Sequence, residues 1–432
     1  MIFHNGVLTD PETGRMSRIS FTVKRGMITH IEQDPDSEMP NGAVDLTDRF
    51  IIPGLIDMHV HIKEGFAPLF TAAGVTTVRN TAGNVIELET LRSAAADAPT
   101  PRVISADRMI DGPPGLWGDT SPWSFVTDDP EKVRTEVNRQ ISQGADLIKV
   151  YSLLDRSSMA AAAVEAARGG KDVSCDLLYS TEVTAVSAAE LGIRWNEHAS
   201  GIIQDLYPGW HMGAPAEEWE RIDWEGKNEA EIRTVCRKMI DAGVVLCPTI
   251  TLFDQQRSLP DFWKPEGAEH FLTPALKRQF ESLAEHKEIF NRVGQHGRFN
   301  QTVSRLYKEL GGTVTAGTDT PAGVYTYPGL ALHRELELLV DAGFTEAEAI
   351  KAATSTAADA LGRHELGRII EGAAADFVVL EKNPFEDIRH TRSVRKVVKG
   401  GRLYLPEELV KAVPDEEEAV KKSKAFAAAF KD

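Results

Sequence analysis

The chain has 432 residues, room for two to three ordinary domains or for one large barrel with an attachment. Hydrophobic residues make up 42% and charged residues 26%, a globular balance that excludes a disordered chain. A formal charge of −17 disfavours nucleic acid or an anionic membrane as the main partner, and three cysteines (Cys175, Cys236, Cys247) give no disulfide framework. No apolar run reaches the roughly 18 residues of a membrane-spanning helix, and the N-terminus lacks a basic and then apolar leader, so a cytoplasmic protein is expected.

In chain order, Ile2, Phe3, Gly6, Val7 and Leu8 lead into the turn DPETG, and Ile19, Phe21 and Val23 then alternate with polar residues as in a half-buried strand. After Arg25-Gly26, MITHIEQ reads as the return strand of a hairpin. From about residue 50 short apolar runs alternate with helical stretches: FIIPGLIDMHVH, VTTVRN, PRVISA, DLIKVY, KDVSCDLL, IRWNEH, VVLCPTI and TVTAGTD. Such runs suit parallel strands buried on both faces, and eight of them predict an α/β fold, a (β/α)8 TIM barrel. Strands return from about residue 367, with a hairpin turn at KGG. The expected organisation is a barrel over 53–366, a small composite β-sandwich built from 1–52 and 367–405, and a helical tail over 406–432. In the tail the acids precede the lysines, as a helix dipole favours, and the charge pattern favours a solvated helix over a docked one.

Chemistry-bearing residues gather at the strand ends. In Asp57-Met58-His59-Val60-His61 the two histidines are separated by one residue, so a strand points both to one side, where they converge on one ion or simply hydrogen-bond. Lys149 closes DLIKVY; buried and unpaired it is costly, and it either snorkels to the rim or reacts with carbon dioxide to become an anionic carbamate. His198 closes IRWNEH, and Asp319 ends TVTAGTD, where a carboxylate serves as metal ligand and proton acceptor or as a helix cap. Imidazoles, a carbamate and a carboxylate on one barrel mouth suit Zn²⁺ or a similar divalent ion.

FIIPGLIDMHVH, GVTTVRN, DLIKVY, NEHASG, TAGTDTPAG and ADFVVLEKNPFEDI occur in order and resemble the metal-dependent amidohydrolase superfamily. Within it, GLALHRELELLVDAGFTEAEAIKAAT is most similar to the imidazolonepropionase and Xaa-Pro or Xaa-Arg dipeptidase relatives. The resemblance spans residues 2 to about 405 and implies a barrel with a composite β-sandwich. It implies two divalent ions, Zn²⁺ first with Mn²⁺ or Co²⁺ as alternatives. His59 and His61 would sit on the buried ion, N-carboxylated Lys149 would bridge, His198 would hold the second ion, and Asp319 would be ligand and proton shuttle. The implied reaction is hydrolysis of an amide or peptide-like C–N bond in a small molecule by a metal-bound hydroxide. Esters, lactones and phosphotriesters are alternatives within reach of the same machinery, and a non-catalytic scaffold is the contrasting reading. The resemblance also points to self-association into a homo-oligomer. His333, in HREL, falls on a helical stretch and reads as structural.

One position departs from the family pattern. Where a Val-x-x-His histidine is usual at the end of strand five, the chain has Val173-Ser174-Cys175-Asp176, and none of its 12 histidines lies between His61 and His198. Asp176 is expected to supply an oxygen ligand in that place; the competing reading is that it points away or disables the site. As a ligand it would cancel the net positive charge of a two-ion centre, weaken the second ion as a Lewis acid and bias the site towards harder ions such as Mn²⁺. Around the mouth, Trp117 and Trp123 in DGPPGLWGDTSPWSF and Tyr325 and Tyr327 in YTYPG are candidates for substrate contact. Trp210, Trp219 and Trp224 follow His198 and either shape a bulky substrate site or pack on the barrel.

Overall fold

The computed structural model describes residues 1–35 and 38–430, so the last two residues of the expected tail lie outside the described residues. The alternating segments at both chain ends meet in one mixed sheet. Its order is Arg402–Tyr404, Val394–Lys399, Phe377–Leu380, Phe50–Pro53, Ile2–Asp10, Arg15–Lys24, Met27–Gln33, with Val44–Asp45 beside Ile2–Asp10. The join between the two ends is antiparallel, with Val379 opposite Ile51. Both expected hairpins form, one pairing Phe21 with Ile31 and the other turning at Gly400-Gly401 between Lys399 and Arg402. Their inward residues stack as Phe3, Phe21 and Phe377, ring centroids 4.9–5.2 Å apart, which ties residues far apart in sequence into one core.

Between these ends the apolar runs form short parallel strands. Leu55–Val60, Val75–Asn80 and Arg102–Ser105 make one sheet; Ile148–Val150, Val173–Cys175, Trp195–Glu197, Val245–Cys247 and Thr313–Val314 follow one another in the second. Isolated parallel bridges close both gaps, Ala106 with Leu147 and Val60 with Thr320. The eight strands therefore return on themselves in sequence order, consistent with the expected barrel beside a β-sandwich. Two further strands, Met109–Asp111 and Ser124–Val126, flank the Gly/Pro/Trp-rich loop after the third ring strand and pair with each other. Almost every strand residue of the ring is buried, which is why the sequence shows continuous apolar runs there and not alternation.

The C-terminal helix, Glu416–Ala429, corrects one expectation: it is docked, not free in solvent. Glu416 accepts from the backbone of Ala275 at 2.6 Å and pairs with Arg278, Lys422 faces Glu64 at 3.5 Å, and the Ser423 hydroxyl donates to Glu87 at 2.7 Å. The charge pattern did not disclose this, because the partners are themselves charged surface groups. Among the described residues no helix is long and apolar enough to cross a membrane.

Candidate metal centre

The ring brings five of the six expected ligand residues to one place, from at or beyond the carboxyl ends of four strands, His59 and His61 sharing the first. His59 is buried, and its Nε2 lies 3.2 Å from Asp319 Oδ1; His61, on the same side of the strand, places Nε2 2.9 Å from that oxygen. Across the centre, His198 Nε2 lies 3.4 Å from Asp176 Oδ2 and 4.0 Å from Asp319 Oδ2. The His59 and His198 rings are 4.7 Å apart. Asp176 thus points inward, with its Oδ1 accepting from the Leu178 backbone at 2.9 Å.

The hydrogen-bond network fixes what the histidines can offer. His61 Nδ1 faces the Ala82 carbonyl at 3.2 Å, and a carbonyl only accepts, so Nδ1 carries a proton and Nε2 is the nitrogen turned to Asp319. His59 Nδ1 faces Glu197 at 2.8 Å and donates to that carboxylate. His198 Nδ1 is 2.6 Å from the Thr249 hydroxyl, which can donate to that nitrogen or to the Pro248 carbonyl. Each Nε2 is therefore turned toward a carboxylate oxygen with its Nδ1 in a contact of its own. Where Nε2 is unprotonated, a proton or a metal ion between it and the carboxylate would be needed.

At His59 a proton meets that need: burial pushes the imidazole down, but Asp319 and Glu197 outweigh it and hold it above its ordinary value. Asp319 is correspondingly held well below the usual carboxylate range, because His59 and His61 overcome the effect of its burial. At His198 burial prevails over Asp176 and lowers the imidazole to about 4, so at neutral pH the ring is neutral and keeps one proton, toward Thr249 or toward Asp176. Lys149 presents a mismatch. Its side chain is 1% exposed and its Nζ, 5.6 Å from the Tyr151 ring centre, has no hydrogen-bond partner among the described residues. It is the one expected ligand not joined to the others by a direct polar contact. A buried amine with nothing to hold is the group that carbamylation would turn into an acceptor for cations.

Several residues that position these groups escaped the sequence reading. Glu197 receives His59, two contacts from Arg79 at 2.7 and 2.9 Å, and the Ser174 hydroxyl at 2.7 Å. Burial would raise the Glu197 carboxyl, but Arg79 and His59 hold it well below its usual range. Arg79 lies over the Trp195 ring at 4.1 Å and donates to the Met58 carbonyl, so strand two locks the turn of strand one that carries His59. Asp57 accepts from the backbone of His59 and from the backbone and hydroxyl of Thr318, coupling the first strand to the loop that carries Asp319. Glu335, from the HREL segment, receives the backbone amides of Ile250 and Thr251 and thereby holds Thr249 against His198. Charged letters inside otherwise apolar runs, Arg79 in VTTVRN and Glu197 in IRWNEH, were the available signal. A second grouping of donors, His59 with Glu197 and Cys247, is less suited to a cation: Glu197 is committed to Arg79, and burial holds the Cys247 thiol far above its ordinary value.

Backbone conformation marks the same place. His198, Ala199, Thr249 and Asp319 all have φ between 47° and 65°, a region that costs a non-glycine residue about 1–3 kcal/mol. Gly317 is required for a different reason: a Cβ there would lie 2.5 Å from Cys247 Sγ and 2.9 Å from the His59 backbone nitrogen.

The candidate substrate contacts divide. Trp117 is 66% exposed and its ring stands 6.5 Å from that of Tyr151, whose phenol is held well above its ordinary value by burial and by Asp176. Trp123 donates its indole N–H to Glu87 at 2.7 Å under Lys63. Tyr325 stacks on Phe262 at 4.0 Å, and Tyr327 is buried in the same aromatic cluster beside Trp263. Both tyrosines pack there instead of joining the ligand cluster. Trp210, Trp219 and Trp224 pack on one another and on His296, as does Phe253, which also contacts the His198 ring; they buttress His198 from behind. His333 bonds the Ala73 carbonyl and Thr391, a structural position.

Comparison with known proteins agrees with this geometry. Residues 227–404 match the amidohydrolase family. The ochratoxinase of Aspergillus niger is 26% identical over 326 residues, covering 71% of this chain and 55% of that protein, so the chain spans about half the length of this relative. In fold, it is similar to a Xaa-Pro dipeptidase (TM-score 0.68, 21% identity, 94% of this chain and 99% of that one) and to the bottromycin amidohydrolase (TM-score 0.73, 22% identity, 100% and 92%). Over residues 227–404 the chain is similar to the amidohydrolase family.

Proposed function

We propose that this chain is a metal-dependent hydrolase that cleaves an amide or peptide-like C–N bond of a small molecule at the carboxyl end of a (β/α)8 barrel. One observation carries the reading: His59, His61 and His198 turn their Nε2 atoms to the carboxylates of Asp319 and Asp176 around one centre, a donor set that suits a divalent cation. His59, His61 and Asp319 would hold one divalent ion, and His198 and Asp176 a second, with Lys149 as a carbamate shared between them. When bound, Zn²⁺, Mn²⁺ or Co²⁺ supplies Lewis acidity to the scissile carbonyl and makes a nearby water more acidic.

The chain's own groups then handle orientation and protons. Asp319 takes the proton of the attacking water as the O–C bond forms and delivers it to the nitrogen as the C–N bond breaks. Its depressed basicity in the chain alone reflects two imidazoles that a cation would replace as partners. Glu197 keeps His59 in the tautomer that presents Nε2, and Thr249 does the same for His198. Asp176 cancels one positive charge, which favours harder ions at the second position.

The named activity of one structural relative selects Xaa-Pro dipeptides as the first substrates to try, with simple N-acyl amino acids as general amide probes. Hydrolysis that needs Zn²⁺, Mn²⁺ or Co²⁺ and disappears with a chelator is the expected result; failure of every metal-loaded form to cleave any amide overturns the proposal.

A further inference from the structure

The C-terminal helix turns the stripe Glu416, Ala419, Ser423, Phe426 toward the body, yet none of its side chains is fully buried. A docked helix ordinarily presses such a stripe onto its partner. Here a cavity of about 460 Å³ intervenes, within the roughly 300–1,000 Å³ of small-molecule sites. Ala419, Val420 and Phe426 form one wall, and Phe66, Leu88 and Leu276 the opposite one.

Its place in the fold ties it to the ligand cluster. The lining begins at Lys63, two residues past His61, and includes Gln279, which donates to the carbonyl of Pro321, two residues past Asp319. Its charges are already spent: Lys63 on Glu87, Lys422 on Glu64, and Glu416 on Arg278. Glu87 also receives the Trp123 indole and the Ser423 hydroxyl, so one carboxylate pins two loops and the helix around the rim. A charged ligand group would find no free partner inside, whereas an alkyl or aryl group would meet apolar walls on two sides.

We propose that this cavity is the subsite for an apolar alkyl or aryl group carried by the substrate, with the C-terminal helix as its outer wall. The proposal rests on the hydrolase reading for where the scissile bond lies. It is tested by titration calorimetry and by hydrolysis assays on the full, Zn²⁺-loaded chain with N-acetyl-, N-butanoyl- and N-octanoyl-L-alanine. Burial of a methylene is worth roughly fourfold in affinity, so partial burial of the six added in octanoyl should tighten binding at least tenfold over acetyl. Val420→Trp, which fills the cavity, and Val420→Asp, which places a charge in its wall, should each shrink that gain below about threefold, with melting temperature reporting the fold. Equal binding of the three probes, no binding of any, or a full gain in both variants overturns the subsite. Chain-length-dependent binding without cleavage of any amide would sink the hydrolase reading and leave the subsite standing. Cleavage with no chain-length preference would do the reverse.

Discussion

The two halves of the centre differ in how each meets its own charge. On one side His59, His61 and Asp319 are backed by a buried Arg79–Glu197 pair, and a proton on His59 can stand in for a cation. On the other, burial lowers His198 to about 4, Asp176 faces its Nε2, and Lys149 Nζ is buried with no hydrogen-bond partner among the described residues. The first half forms a charge network in the chain alone; the second is the half that the proposed cation and carbamate would complete. The contrast teaches that geometry alone does not distinguish a metal site from a buried salt bridge. What distinguishes them is whether protons can satisfy every lone pair.

The strongest challenge to this contrast is Asp319→Asn. General acid–base catalysis supplies about 10²–10⁴-fold, so kcat on the best amide substrate should fall by roughly 10³. Near-native turnover by that variant would remove Asp319 from the mechanism.

Next comes the support of the first half. Arg79→Leu leaves Glu197 buried and half-paired, which should cost about 3–5 kcal/mol in urea unfolding. Adding Glu197→Gln to it should recover more than half of that loss, since the unpaired charge is then gone. An Arg79→Leu variant as stable as the parent would mean the pair contributes nothing to holding the first strand.

The second half should respond in metal affinity more than in stability. Asp176→Asn is expected to weaken the second ion at least about tenfold, and Lys149→Ala to lose the carbamate carbon signal seen by NMR in ¹³C-bicarbonate. Asp176→His should shift preference from Mn²⁺ towards Zn²⁺. If that variant keeps both activity and metal content unchanged, Asp176 is not a ligand.

The smallest effect tests a histidine outside the contrast. Burial lowers His333 to about 4 from an ordinary value of 6.5, so the folded chain binds fewer protons than the unfolded chain between those values. Its contribution is intact above pH ~6.5 and is lost at up to about 1.4 kcal/mol per pH unit as the pH falls toward 4. His333→Gln should flatten that part of the stability–pH curve; an unchanged slope would assign acid sensitivity to other groups.

Much of this was legible in the sequence. Buried parallel strands announce themselves as apolar runs, and strand direction put His59, His61, His198 and Asp319 at strand ends without coordinates, whereas Asp176 stood out only as a departure from the resembled family's pattern. Lys149 was legible as an anomaly, a cation in a buried run. The positioning layer was less visible, because its partners are remote: Glu197 meets Arg79 across 118 residues, and Glu335 reaches Ile250 across 85. The packing of the tyrosines was hidden for a related reason. Nearness in sequence to Asp319 does not say which way a loop folds, and Phe262 and Trp263, from a distant segment, draw Tyr325 and Tyr327 into packing. The docked C-terminal helix was hidden because its ties are polar contacts on a surface that looks solvated.

The most direct measurement is elemental analysis of the purified chain, before and after reconstitution with Zn²⁺, Mn²⁺ and Co²⁺. Two ions per chain, falling to one in Asp176→Asn, is the predicted result. A chain that binds no ion under any of these conditions would contradict the account at its centre.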